Sequence, residues 1–318
     1  MSALADHSPT TRSSNLLRLF DSRRDLGPVA DLVELCFADT LDESGRGYVQ
    51  RMRQAARSNN LFGWSNMSMG GFVWERDGLV IGNVNMIAFT TRGNRNFLLA
   101  NVAVHPSYRR QGVARKLTNQ SVEHARLLGM KSVWLHVRQE NEAAVSLYQS
   151  LGFAERLRRT SWLSSSEPPV VDRKTGVTLG SSRGRDWELQ LQWLSANYPP
   201  EVTWQTSMSF ESLRPGFIGT LYRFFYSLGT LQWSAWAGNG LAASVSWQGS
   251  LGSAHSLWLA SPPEADENAL RLLLLHARRH VPSRRPLEFD FPTGQSSQAI
   301  AAAGFTPQQT LIWMELPL

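Results

Sequence analysis

Phe97-Leu98-Leu99-Ala100-Asn101-Val102-Ala103-Val104-His105-Pro106-Ser107-Tyr108-Arg109-Arg110-Gln111-Gly112-Val113-Ala114-Arg115-Lys116 is the stretch on which the fold turns. It opens as an apolar run that reads as a strand and stops at Pro106, which has no N–H for a ladder. Downstream, Leu117, Ser121, Val122, Ala125 and Leu128 recur at helical spacing, and Gly129 ends the pattern. Ser132 to Val137 predicts a second strand, and a short helix is expected from Asn141 through Tyr148. Gly152-Phe153 closes the unit. The order is strand, basic glycine loop, helix, strand, helix.

The loop has a physical use. The first N–H groups of a helix have no internal partner, and the helix dipole makes that end positive. Gly112 has no side chain, so an anion could lie directly on the backbone. Arg109, Arg110, Arg115 and Lys116 surround it with positive charge. A pyrophosphate is the expected guest.

This stretch resembles the GNAT superfamily of N-acetyltransferases. The family's Gln/Arg-x-x-Gly-x-Gly/Ala pattern corresponds to Arg109-Arg110-Gln111-Gly112-Val113-Ala114. That pattern alone is weak, since Gln149 to Ala154 also fits it, between a helix and a strand. The ordered set is more specific. Asn101-Val102-Ala103-Val104-x-Pro106 precedes the loop. Val137-x-x-x-Asn141-x-x-Ala144-x-x-Leu147-Tyr148 and Leu151-Gly152-Phe153 follow it. The spelling is closest to the ribosomal-protein-alanine N-acetyltransferases.

The resemblance implies acetyl-CoA as cosubstrate. Arg109, Arg110, Gln111, Gly112, Val113, Ala114 and Arg115 would hold its pyrophosphate. Backbone groups of Val102, Ala103 and Val104 would hold the pantetheine arm and polarise the thioester carbonyl. Asn141 would touch the cofactor; it is equally a helix N-cap, and the two roles are compatible. Tyr148 would be the general acid, with a buried core aromatic as the plain alternative. The relatives carry glutamate in a Leu-Glu-Val-Arg motif, where this chain reads Leu135-His136-Val137-Arg138. His136 can serve as the base, or be an ordinary strand residue with water in that role. The change puts a ribosomal or peptide acceptor in doubt.

The chain has 318 residues, enough for two domains, and its 42% hydrophobic content supports a packed core. The net charge of +6 suits a polyanionic ligand or simply solubility. The single cysteine, Cys36, excludes an internal disulfide and a cysteine-rich zinc site, and no metal is expected. No apolar core follows Met1 and no run reaches a membrane span, so a cytoplasmic protein is expected. No basic helix or stacking motif points to nucleic acid.

Along the chain, residues 1–14 read as a disordered terminus and 15–163 as the catalytic GNAT domain. Residues 164–185 read as a linker, with a small hairpin over 170–179. Within the first domain, Leu16 to Phe20 predicts a strand and Asp25 to Phe37 and Tyr48 to Arg57 predict helices. Phe62 to Ser68 reads as an aromatic loop. Gly71 to Glu75 and Leu79 to Phe89 predict a hairpin.

An internal repeat accounts for residues 186–318. A common offset lays His124-Ala125-Arg126 on His276-Ala277-Arg278, Leu135-His136-Val137 on Leu287-Glu288-Phe289, and Gly152-Phe153 on Gly304-Phe305. The expected fold is α/β: tandem GNAT-like domains, each a mixed, mainly antiparallel central sheet flanked by helices. The second copy is degenerate. Opposite the loop it offers Ser261-Pro262-Pro263-Glu264-Ala265-Asp266-Glu267, which is acidic and lacks glycine. It either walls a substrate cleft or serves packing alone. The layout is similar to that of mycothiol synthase.

Two functions follow from the residues and the resemblance. One is an N-acetyltransferase acting on a primary amine of a small molecule or a peptide N-terminus, as a monomer or homodimer. The other is a non-catalytic acyl-CoA sensor or scaffold.

Overall fold

The computed structural model describes residues 15–39, 41, 43–58, 69–165, 169, 176–204, 209–215, 229–250, 252–282 and 285–318. The expectations for residues 1–14 and for Phe62 to Ser68 lie outside them. Contacts divide the chain into two compact units: residues up to 89, 95–134 and 317–318 in one, and 90–94 and 135–316 in the other.

In the first unit the strands β1 (Asn15–Leu19), β2 (Met69–Arg76), β3 (Leu79–Thr91) and β4 (Asn94–Val104) run in the order β1-β2-β3-β4. The β1–β2 and β2–β3 pairs are antiparallel. Helix α1 (Ser22–Phe37) starts three residues earlier than the apolar spacing alone predicts. The reason is Asp21, whose side chain accepts from the Arg23 N–H. Arg18 on β1 then donates two 2.7 Å bonds to the buried Asp25 carboxylate, which fixes strand to helix. Helix α2 (Glu43–Ser58) joins α1 in one core with Leu26, Val29, Val33, Met52, Val73 and Ala103. Helix α3 (Val113–Leu127) lies against Gly82, where a Cβ would stand 2.8 Å from Val113. Glycine there lets the start of α3 approach β3.

The second unit takes most of strand β5 (Ser132–Arg138), from Leu135 on. It also holds α4 (Glu142–Ser150), β6 (Ala154–Ser164), β7 (Val177–Ser181), α5 (Trp187–Asn197), β8 (Thr230–Ala237), β9 (Gly240–Gln248), β10 (His255–Ala260), α6 (Glu267–His280), β11 (Leu287–Pro292), α7 (Ser297–Ala302) and β12 up to Leu316 (Phe305–Pro317). Its strand order is β5-β12-β6-β11-β10-β9-β8-β7. The β10–β11 pair is parallel, while β6–β11, β6–β12, β7–β8, β8–β9 and β9–β10 are antiparallel.

Two features differ from the sequence reading. The stretch read as a linker with a small hairpin contains β7, whose partner is β8; residues 170–175 lie outside the described set. The larger difference is in β6. The last strand of the first sequence copy has β12 and β11, both from the second copy, as its neighbours. The last strand of the second copy, β12, lies between β5 and β6. Each closing strand is therefore inserted beside the other copy's strands, and packing units do not follow the order of the copies.

The repeat is otherwise plain in the structure. Hairpin, strand, helix, strand, helix, strand recur as β8–β9, β10, α6, β11, α7, β12. Trp187, Trp233 and Trp247 of this half share one core with Leu270, Leu273 and Leu274, and Trp193 and Trp258 pack against it.

Candidate active site

In the first unit, β4 leaves regular geometry at Asn101, whose φ of 51° is left-handed, a conformation asparagine tolerates better than most residues. Val102, Ala103 and Val104 follow. The His105 N–H reaches the Ile81 carbonyl at 2.9 Å, and a short turn over Pro106–Tyr108 leads into the loop. Arg109, Arg110, Gln111 and Gly112 are all exposed. Arg110 has φ 64° and Gly112 φ 79°.

Gly112 is the N-cap of α3 and brings no side chain to cap it. A Cβ built on Gly112 meets no atom of the described residues within 4 Å, and Gly112 gives the first N–H groups no side-chain cap. Arg115 and Lys116 are exposed in the first turn, with Lys116 over the Trp74 ring at 5.1 Å. Arg109 Nε donates to the Val104 carbonyl at 3.3 Å, which ties the loop to the end of β4. These features fit a pyrophosphate: an uncapped helix start, an open approach and flanking cations.

Cys36 is half-buried and its Sγ–H donates to the Val104 carbonyl at 3.2 Å. Burial pushes the thiol pKa up, against the pull of neighbouring Arg109. That is the behaviour of a structural cysteine.

The second unit holds the other candidates. Asn141 caps α4, its Oδ1 accepting from the Ala144 N–H at 3.2 Å. Tyr148, on the same helix, is 6% exposed and meets Phe153 edge to face at 5.9 Å. Burial raises its pKa to about 12. His136 on β5 lies against Trp313 of β12, ring centroids 5.1 Å apart. Desolvation lowers the His136 pKa and the Asp290 carboxylate on β11 opposes the shift. His136 is nonetheless an exposed residue of β5. Asp290 accepts a short hydrogen bond from Ser161 Oγ.

The sequence reading missed Trp313 and Asp290 as surroundings of His136, because the insertion of β12 beside β5 left no local signal. It also passed over Asn83 and Asn85, although two asparagines at a spacing of two inside an apolar strand are unusual.

The corresponding terminus in the second copy is closed. Asp266 caps α6, its Oδ1 accepting from the Ala269 N–H at 2.9 Å. Glu267 accepts from the Ala299 N–H at 2.9 Å. The Asp266 carboxylate already occupies the place an anion would take at α6, while the Glu267 carboxylate reaches across to α7.

Comparison with known proteins defines the class. Residues 32–153 match the Acetyltransferase (GNAT) family, so the chain carries a GNAT acetyltransferase domain. The [Ribosomal protein bS18]-alanine N-acetyltransferase of Escherichia coli K12 is 39% identical over 69 residues, 22% of this chain and 47% of that protein. The mycothiol acetyltransferase of Geodermatophilus obscurus is 36% identical over 61 residues, 19% of this chain and 20% of that one. The chain thus spans about half the length, or less, of the curated relatives it matches. In fold, a tandem GNAT protein from the clavulanic acid biosynthesis pathway aligns over 96% of this chain and 98% of its own, with TM-score 0.53 and 16% identity. A GCN5-related N-acetyltransferase from Sphaerobacter thermophilus aligns over 95% of both chains, with TM-score 0.55 and 15% identity. The fold is that of tandem GNAT proteins.

Among the described residues, no helix is long and apolar enough to cross a membrane. No group of three or more His, Cys, Asp and Glu side chains among them could hold a metal.

Proposed function

We propose that this protein is an acetyl-CoA-dependent N-acetyltransferase that transfers an acetyl group to a primary amine, of a small molecule or a peptide N-terminus, by direct attack on the thioester. The observation that carries the proposal is the α3 terminus, where Gly112 leaves an uncapped helix start open among exposed Arg110, Arg115 and Lys116. The acid-capped α6 terminus is its counter-example, so one cosubstrate site per chain follows. We also retain residues 15–163 and 186–318 as the two sequence copies, the first being catalytic.

In this reading, Arg109 to Arg115 hold the pyrophosphate and the Val102–Val104 backbone holds the pantetheine arm and the thioester carbonyl. Asn141 contributes from the start of α4. The neutral amine attacks the carbonyl carbon, and the carbonyl π electrons move to oxygen. Collapse of that oxyanion breaks the carbon–sulfur bond. Tyr148 gives its proton to the departing thiolate, and His136 takes the proton the amine sheds. The acyl-CoA sensor is the second reading, favoured only by the absence of the family's glutamate at His136. Acetyl transfer measured over amino acids, aminosugars, polyamines and short peptides separates the two.

His136 gives a pH test. A base works in its deprotonated form, and local desolvation lowers this histidine's pKa. Corrected for the amine's neutral fraction, activity should therefore rise with pH through a midpoint below the ordinary value of about 6.5 and be flat by neutrality. His136→Ala should remove that limb and leave coenzyme A affinity unchanged. The same limb in the mutant returns His136 to a strand residue and the base role to water.

A further inference from the structure

Asn83 and Asn85 stand two apart on β3, so both face the same side of the sheet. In the β2–β3 register Asn83 lies opposite Val73, which belongs to the apolar core shared by α1 and α2. Both asparagines are 0% exposed. Hydrophobic strands rarely bury two amides side by side, and each polar atom so placed requires a partner.

Their hydrogen bonds fix which way each amide points. Asn83 Nδ2 donates to the Asn101 carbonyl at 3.0 Å and to Asn85 Oδ1 at 3.1 Å. Asn101 Nδ2 donates to Asn85 Oδ1 at 3.1 Å and to the Tyr48 hydroxyl at 3.5 Å. Reversing either amide would set oxygen against oxygen or nitrogen against nitrogen. Two atoms are left over, Asn83 Oδ1 and Asn85 Nδ2, both buried and without a partner among the described residues. One is an acceptor and the other a donor.

The position of these two atoms bears on the candidate site. Asn101 is the left-handed residue of β4 and directly precedes Val102–Val104. Asn101, which bonds to the asparagine pair, and Tyr48, which bonds to Asn101, are both partly exposed. Resting on the acetyltransferase reading above, we propose that Asn83 and Asn85 determine acceptor specificity. They bind a group next to the reacting amine that both donates and accepts a hydrogen bond. A vicinal hydroxyl and a carboxamide share that chemistry. An alkylamine has neither and leaves both amide atoms unpaired, the situation in which polar sites reject analogues most strongly.

The test uses the full chain, acetyl-CoA and three amines of similar size: ethanolamine, glycinamide and propylamine. Turnover is corrected for each amine's neutral fraction. We expect kcat/KM for ethanolamine or glycinamide, whichever source the site prefers, to exceed that for propylamine by about 100-fold or more. Equal values for all three overturn the assignment and leave buried water as the partner of the amides. Asn85→Asp keeps the oxygen that accepts from Asn83 and Asn101 and removes the free NH2. It should raise KM for the preferred amine about tenfold or more without changing coenzyme A affinity. A folded Asn85→Asp protein that discriminates as before also overturns it, and if this variant does not fold, the wild-type panel decides.

Calorimetric binding of the same amines to the coenzyme A-loaded protein separates this inference from the one beneath it. Selective binding without acetylation defeats the enzyme reading and sustains the asparagine site. Acetylation without selectivity does the reverse, and neither selectivity nor acetylation defeats both.

Discussion

Replacing Tyr148 with Phe should lower acetyl transfer by about 10²–10⁴, the range for losing a positioned acid, while coenzyme A affinity changes by less than about 1 kcal/mol, one ordinary hydrogen bond. The substitution removes one oxygen and almost no volume. The ring keeps its edge contact with Phe153, so the fold should hold. Burial raises the Tyr148 pKa to about 12. The proton is therefore in place at any working pH, but a free thiolate in water, with a pKa near 8.5, is too weak a base to take it readily. The same desolvation that raises the phenol raises the thiol, because both are acids whose charged form is disfavoured by burial. Transfer becomes feasible as the sulfur leaves. The measurement is coenzyme A affinity and turnover on one Tyr148→Phe preparation. Full turnover with intact binding ends the general-acid role, and loss of both shows that Tyr148 is a packing residue. If the unmutated protein acetylates no amine in a broad panel, the sensor reading takes over.

What could be read from the sequence was what is encoded locally. The hairpin over β2 and β3, the strand–loop–helix at β4 and α3, and the caps at Asn141 and Asp266 each depend on residues within a few positions. The second copy was legible because its periodicities repeat. What stayed hidden was pairing at a distance. Nothing in Phe305 to Pro317 says that this strand goes between β5 and β6, since a strand's pattern states which face is buried and not which neighbour it takes. The surroundings of His136 were hidden for the same reason: Trp313 and Asp290 arrive on β12 and β11. Asn83 and Asn85 were visible as residues but not as a site, because their meaning depends on which amide atoms the fold satisfies and which it leaves. The start of α1 shows the local limit. Apolar spacing began the helix at Asp25, whereas the Asp21 cap begins it at Ser22.

Gly112→Glu should weaken coenzyme A binding by about 100-fold or more, which is about 2.7 kcal/mol. Three effects act together at this position. A side chain at φ 79° is in the left-handed region, which costs a non-glycine residue about 1–2 kcal/mol of local strain. The new Cβ meets no atom of the described residues within 4 Å, so the added group points away from the described core. A carboxylate placed there supplies the uncapped N–H groups with the anion they lack and repels a second one. The protein already contains a version of this experiment, since at the α6 terminus the Asp266 carboxylate accepts from the Ala269 N–H. Gly112→Ala separates strain and bulk from charge. It carries the same backbone penalty without the carboxylate, and should bind coenzyme A more weakly than the wild type and more tightly than Gly112→Glu. Thermal unfolding of both variants should show similar, modest losses, because neither side chain meets the core. The deciding measurement is calorimetric titration of coenzyme A into the three proteins. Equal affinity across wild type, Gly112→Ala and Gly112→Glu would remove the loop from the cosubstrate site, and with it the observation on which the proposed activity rests.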